Sequence, residues 1–307
     1  MSWEVLTMRS ATSFFNPALA RSDLRRYWPA LFLYVGLWII FLPIPVWNRA
    51  AERNPTLVNL TELCADTYAA AVVLALIFGG IMATAVFSYL MQTRSVGAMH
   101  ALPQRRGTLF WTHFLTGWAM LAAGNLLVLA VTALAALLGG LALTPALLTW
   151  FVVATLLDLI FLALGTLCAM VTGWLLAVPV LYGAMNVIAL LLYAVISTMT
   201  QMFYFGYSNS DIPEFITWLT PVGRIWDAVA NGGAQPIEVQ FREPIGTQSY
   251  QRVQLPASAF STCIIYAAVG IALLALVWWL YKKRPSETAG DAMSFRWLRP
   301  IARWSIG

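Results

Sequence analysis

The sequence predicts an all-α integral membrane protein with six transmembrane helices and both termini in the cytoplasm. An interfacial N-terminal helix, a short cytoplasmic helix between the second and third spans, and a small extracellular α/β cap between the last two complete the expectation. Three observations carry it. Of 307 residues, 60% are hydrophobic and only 10% charged, whereas soluble domains run near half apolar and about a quarter charged. The apolar residues gather in runs of about 20 or more, the length that crosses roughly 30 Å of hydrocarbon. The basic residues collect between alternate runs, as they do where a chain is oriented by its loops.

Taken in order, residues 1–28 form a cytoplasmic N-terminus. In "NPALARSDLRRYW", Asn16 is an N-cap and Pro17 the first helical position, with Ala20, Leu24, Tyr27 and Trp28 on one face. Arg21, Arg25 and Arg26 fall mostly elsewhere on the wheel, which suits a helix in the membrane interface; a plain basic flank of the first span is the alternative. Spans are expected at 29–47, 68–91, 109–139, 147–171, 174–203 and 259–281. The connection from the fourth to the fifth, "TGW", is far too short for a helical arm reaching into the cytoplasm.

The outward segment 204–258 is the largest piece outside the spans. "IPEFITWLTPVGRIWDAVANGG" reads as short helices ending at Asn231 and Gly232, and "IEVQF" alternates Ile237, Val239 and Phe241 with Glu238 and Gln240, so that "SYQRVQL" can return beside it after "PIGTQ". The tail 282–307 opens with Lys282, Lys283 and Arg284 and sets Phe295, Leu298 and Ile301 against Arg296, Arg299 and Arg303, a pattern suited to anionic lipid or a partner. With six crossings, thirteen of the 18 Lys and Arg fall on one side: Arg9, Arg21, Arg25, Arg26, Arg94, Arg105, Arg106 and the six of the tail. Arg49, Arg53, Arg224, Arg242 and Arg252 lie opposite, and the positive-inside rule makes the thirteen cytoplasmic.

Composition also excludes chemistry. Basic residues distributed by membrane side do not make a nucleic-acid surface. The only lysines, Lys282 and Lys283, sit in no glycine-rich loop, so the chain has no P-loop, and His100 and His113, its only histidines, form neither H-E-x-x-H nor a hydrolase triad with G-x-S-x-G. No catalytic residue, metal site or bound cofactor is expected. Cys64, Cys168 and Cys263 lack zinc-site spacing; Cys64 and Cys263 could meet on the outer side or remain free. Asp158 lies deep in a span, where a charge costs about 2.5–3.5 kcal/mol. It is either a substrate-pathway or helix-coupling residue, or a carboxyl satisfied by a nearby Ser or Thr. Gly79 with Gly80, Gly139 with Gly140, and Gly124 are expected at close helix contacts, and Pro43, Pro45 and Pro179 at kinks or span ends.

Between the second and third spans stands "SVGAMHALPQRRGTLFWTHFL". Arg94–Leu102 allows one or two helical turns with Val96, Met99 and Leu102 on one side; Pro103 stops the helix, Arg105 and Arg106 add charge, and Thr108 can cap the third span. A short helix held across the ends of two spans is a lever on both, whereas the plain alternative is an ordinary basic loop. This order of elements, with "MHALPQRRGTLFWTHFLTGW" carrying an "LP-x-x-R" element, resembles permease subunits of type-2 ABC exporters. "FFNPALARSDLRRYWP" and "SETAGDAMSFRWLRP" further resemble a subgroup of bacterial permeases encoded beside an ATPase.

The resemblance implies that Arg94–Leu102 is a coupling helix fitting a cleft on a cytoplasmic ABC ATPase, with Arg94, Val96, Met99, His100, Leu102, Pro103, Arg105 and Arg106 forming the coupling surface. It implies ATP and Mg held by the partner ATPase, a second permease subunit that is identical or related, surrounding lipid, and a bacterial plasma membrane, with a substrate moved outward. The short inner connections agree, because type-1 exporters extend their spans far into the cytoplasm. Two other functions fit the residues: a sensor or resistance complex for an antimicrobial peptide or cell-wall precursor, and an ATP-independent channel or secondary transporter. An intramembrane enzyme would lack its nucleophile and base.

Overall fold

The first helix begins where the sequence signals it. The Asn16 side chain accepts from the N–H groups of Ala18 and Leu19 at 2.9 and 3.4 Å, and Pro17 fills a position whose N–H would have no helical partner. The computed structural model describes residues 15–51, 60–92, 106–204, 212–231, 235–243, 246–254, 257–284 and 294. Helix α1 runs from Pro17 to Phe41 and α2 from Pro43 to Ala50, divided at Leu42 because Pro43 cannot donate to the preceding turn. Then come α3 (Leu60–Asp66), α4 (Tyr68–Val86) with a 3-10 turn at Ser88–Met91, α5 (Arg106–Leu138), α6 (Ala146–Val171) and α7 (Ala177–Phe203). Short helices α8 (Glu214–Leu219) and α9 (Pro221–Ile225) and a π turn at Trp226–Asn231 follow. The strands β1 (Gln235–Glu243) and β2 (Gly246–Gln254) pair antiparallel with Val239 opposite Tyr250, and α10 (Ala257–Lys283) is the last helix.

Six of these stretches are long and apolar enough to cross a membrane: α1 with α2, then α4, α5, α6, α7 and α10. The chain is a multi-pass membrane protein. One feature departs from the expectation of a separate interfacial helix before the first span. The two are a single helix running through Pro29. Pro29 removes one backbone hydrogen bond from 25 residues of helix, and such a gap is tolerated in a span that packs on its neighbours.

Helix α6 is the hub, packed against α4, α5, α7 and α10. Its closest approach is to α4. A Cβ on Gly79 would lie 2.7 Å from Phe161 Cβ, and one on Gly165 would lie 2.6 Å from Ala83 Cβ, so the two backbones meet where side chains are missing. Gly124 makes room for Tyr34, and Gly139 abuts Ala50, as the small-residue pattern predicts. Helix α7 is peripheral, and Val180, Ile196 and Met202 on it are uncovered within the chain.

The α8–α9 segment is not a free external piece. Ile225 and Val229 are fully buried, the π turn packs on α4 and α10, and Tyr266 Oη donates to the Trp218 carbonyl at 2.8 Å. Its helical stretch ends at Asn231, where the sequence placed the stop. All three cysteines are free and buried, so Cys64 and Cys263 are not paired.

Candidate functional site

One end of the bundle gathers the start of α1, the end of α4, the start of α5, the ends of α6 and α10, and Arg284. A helix leaves its last four carbonyls without donors inside it, and at the end of α6 the cap residue serves the first while distant residues serve the other three. Cys168 accepts from the Thr172 N–H at 3.2 Å and Val171 from the Ser294 N–H at 2.8 Å. Ala169 and Met170 accept from Arg284 Nη1 at 2.7 and 3.1 Å. Arg284 Nη2 also donates to the Leu90 carbonyl at 3.2 Å, at the close of the α4 segment. Arg284 is therefore a cap shared by two spans rather than a free tail charge. Burial pulls its guanidinium down to about 10, which still leaves it protonated at neutral pH.

Arg106 opens α5 and donates from Nη1 to the Arg284 carbonyl at 3.3 Å. Tyr89 and Tyr281 hydroxyls meet at 3.2 Å, and Tyr89 stacks on His113 with ring centres 4.9 Å apart. His113 Nδ1 sits 2.6 Å from Asp23 Oδ2 in a buried pair that joins α1 to α5. The Asn16 N–H donates to Thr112 Oγ1 at 3.0 Å, and Tyr27 Oη donates to the Ala85 carbonyl at 2.7 Å. Of the residues expected to form the coupling surface, only Arg106 is among those described; Arg94, Val96, Met99, His100, Leu102, Pro103 and Arg105 lie outside them. The two ends of that connection, at Leu90 and Arg106, both bond to Arg284.

Asp158 is fully buried in the middle of α6, among α1 and α5. Its Oδ2 lies 2.9 Å from Tyr34 Oη and 2.8 Å from Asn125 Nδ2, and Asn125 Nδ2 also reaches Thr155 Oγ1 at 3.3 Å. Tyr34 Oη is 2.7 Å from Asn125 Oδ1. Asp158 thus bonds to α1 through Tyr34 and to α5 through Asn125, with a tyrosine and an amide rather than Ser or Thr as its direct partners. Sequence reasoning missed both partners: the available signal for Asn125 is an amide inside an apolar span, and Tyr34 offers none.

Asp158 does not line the groove between α4 and α7. That groove, about 640 Å³, runs between α4 and α7 past Ile77, Gly80, Thr84, Pro179, Gly183 and Asn186. Tyr182 bridges its walls by donating to the Leu76 carbonyl at 2.8 Å. The walls are largely apolar, with Thr84, Ser88, Tyr182 and Asn186 as polar residues, and Asn186 Oδ1 is buried without a hydrogen-bond partner among the described residues. Among those residues no three His, Cys, Asp or Glu side chains cluster in a way that could hold a metal ion.

Six apolar spans with one of them at the hub, a polar clamp at one end and an apolar groove between two spans define the class as a multi-pass membrane protein. Comparisons with family models, curated proteins and solved structures found no match to this chain.

Proposed function

We propose that the chain is the transmembrane permease subunit of an ATP-binding cassette transporter in a bacterial plasma membrane. It pairs with a second permease, identical or related, and two cytoplasmic ATPase subunits hydrolyse the ATP. The clamped end, rich in Arg and Lys, faces the cytoplasm, as the distribution of basic residues favours. Closure of the ATPases pushes on the connection between α4 and α5, whose 93–106 segment carries the "LP-x-x-R" element and the coupling residues Arg94 to Arg106.

One observation supports this reading above the others. Arg284 bonds both Leu90 and Arg106, the residues flanking that connection, and also the end of the central helix α6. Force arriving there has a direct mechanical path to α4, α5, α6 and α10 together, which a passive loop would not need. The α4–α7 groove offers an amphiphilic cargo an apolar bed with one amide acceptor, and a volume of about 640 Å³ falls within the range of small-molecule sites.

The deciding experiment is copurification. The tagged chain, expressed with its gene neighbours in a bacterial host, is expected to bring down an ABC ATPase at near-equal stoichiometry, with ATP turnover that responds to cargo. Recovery of the chain alone, with ion or solute flux that needs no ATP, would replace this reading by the channel or secondary transporter.

A further inference from the structure

The contacts around Asp158 can be counted proton by proton. Tyr34 Oη, Asn125 and Asp158 Oδ2 form a closed triangle with sides of 2.7, 2.9 and 2.8 Å. Each side is short enough to require a hydrogen between its two heavy atoms. The tyrosine supplies one, and the amide N–H directed along its side supplies another.

With Asp158 ionised the triangle is one proton short. If Asn125 Oδ1 faces Tyr34, the single phenolic hydrogen must serve both Asn125 and Asp158. If the amide is turned the other way, the tyrosine is satisfied but an amide oxygen confronts a carboxylate oxygen at 2.8 Å. With a proton on Asp158 Oδ2 every side is filled in either orientation. In the first, Tyr34 donates to Asn125, Asn125 to Asp158, and Asp158 to Tyr34; in the second the ring runs the opposite way. The conclusion is therefore independent of how the amide is assigned.

Two further observations point the same way. Asp158 Oδ1 is buried with no partner among the described residues, which suits the carbonyl oxygen of an acid far better than half of a carboxylate. No charged side chain among the described residues faces the carboxyl; the titratable neighbours are the phenols of Tyr34 on α1 and Tyr182 on α7.

We infer that Asp158 is a proton-binding site: its carboxyl holds a proton on Oδ2, and that proton closes a hydrogen-bond ring that pins α1 and α5 to α6. The inference is independent of any ATPase partner, since it concerns the isolated chain.

The test is infrared spectroscopy of the purified full-length protein in lipid at neutral pH, with and without ¹³C-labelled aspartate. The expected result is an isotope-sensitive carboxylic C=O band, absent from Asp158→Asn, at the high-frequency edge of the acid range because Oδ1 accepts no protein hydrogen bond. A spectrum holding only carboxylate bands for this residue would overturn the proposal. Should Asp158→Asn fail to fold, Tyr34→Phe serves instead. Removing the phenol breaks the ring, so the acid band is expected to shift in frequency or give way to carboxylate bands, and an unmoved band would refute the ring.

Discussion

Arg284 and Leu90 are 194 residues apart in sequence and are joined by a 3.2 Å hydrogen bond from Nη2 to the carbonyl oxygen. The same guanidinium reaches Ala169 and Met170, so one planar fork closes the ends of two spans that are not neighbours in the chain. Arginine suits this because its donors diverge in a fixed plane, whereas a lysine ammonium is a point on a flexible stem. Arg284→Ala is expected to destabilise the protein by about 2–4 kcal/mol, since hydrogen bonds from a charged donor contribute about 1.5–3 kcal/mol each and are not additive here. Arg284→Lys should recover less than half of that. Thermal melting in detergent measures both, and a melting curve unchanged in Arg284→Ala would remove the clamp.

The α4–α6 seam makes a sharper steric prediction. In Gly79→Ala the new methyl lands 2.7 Å from Phe161 Cβ and 2.9 Å from its carbonyl carbon, so backbone must move. Overpacking of that kind costs about 1–3 kcal/mol. Gly36→Ala is the control: it is also helical and nothing lies within 4 Å of the added carbon. The control should be neutral or stabilising by up to about 1 kcal/mol through helix propensity. Equal effects of the two substitutions would mean that the seam is not a close contact.

Where the sequence was readable, the signals were local. Hydropathy placed the last five long apolar helices closely, because crossing hydrocarbon leaves a composition mark at every position, whereas the first begins at Pro17, well before the expected span at 29. Asn16 and Pro17 marked a helix start by their own hydrogen bonding, and Gly79 and Gly124 marked contacts by lacking a side chain. Arg284 was hidden for the opposite reason. It follows two lysines after an apolar run and reads as one more tail charge, and only the folded arrangement brings Ala169 and Leu90 beneath it. The Asp23–His113 pair spans 90 residues, and neither partner carries a motif. Asp158 stood out by its cost, but which helices would satisfy it depended on how α1 and α5 turn about α6.

The groove between α4 and α7 gives a functional test. Gly183 lines it, and a Cβ added there meets nothing within 4 Å. Gly183→Trp should therefore fill space without disturbing the fold. If the groove carries cargo, loss of the filled contacts should cut cargo-stimulated ATP turnover by about tenfold, equivalent to roughly 1.4 kcal/mol of binding, with melting unchanged. Asn186→Leu should act differently, weakening cargoes that carry a hydrogen-bond donor while sparing purely apolar ones. Undiminished stimulation in Gly183→Trp would exclude the groove as the path.

The native cysteines make the orientation directly testable. Cys64, Cys168 and Cys263 are buried, and burial pushes the Cys64 thiol up to about 12, so almost none of it is the nucleophilic thiolate at neutral pH. The native chain should resist a maleimide until it is denatured. A cysteine introduced by Arg105→Cys then reports alone. It is expected to react from the cytoplasmic side of intact cells only with a permeant reagent, and labelling by an impermeant one would invert the proposed topology.

The last prediction concerns the connection between α4 and α5. The sequence expects a short helix there with Val96, Met99 and Leu102 on one side, the side a docking ATPase would cover in the proposed complex. A carboxylate buried there without a partner costs at least about 3 kcal/mol, enough to weaken docking by more than about 100-fold. Met99→Glu and Leu102→Glu are therefore expected to abolish ATPase copurification and cargo-stimulated turnover. Insertion and melting of the chain alone should be unaffected, because the clamp among the described residues is built from Arg284, Arg106, Tyr89 and the end of α6. Arg284→Ala should show the converse behaviour: it lowers the melting temperature of the isolated chain and, if the ATPase still docks, leaves docking intact while reducing the coupling of ATP turnover to cargo. Separating the two phenotypes distinguishes a broken docking surface from a broken transmission path. Full retention of stimulated turnover in both glutamate variants would mean that the partner, if there is one, engages the bundle somewhere else.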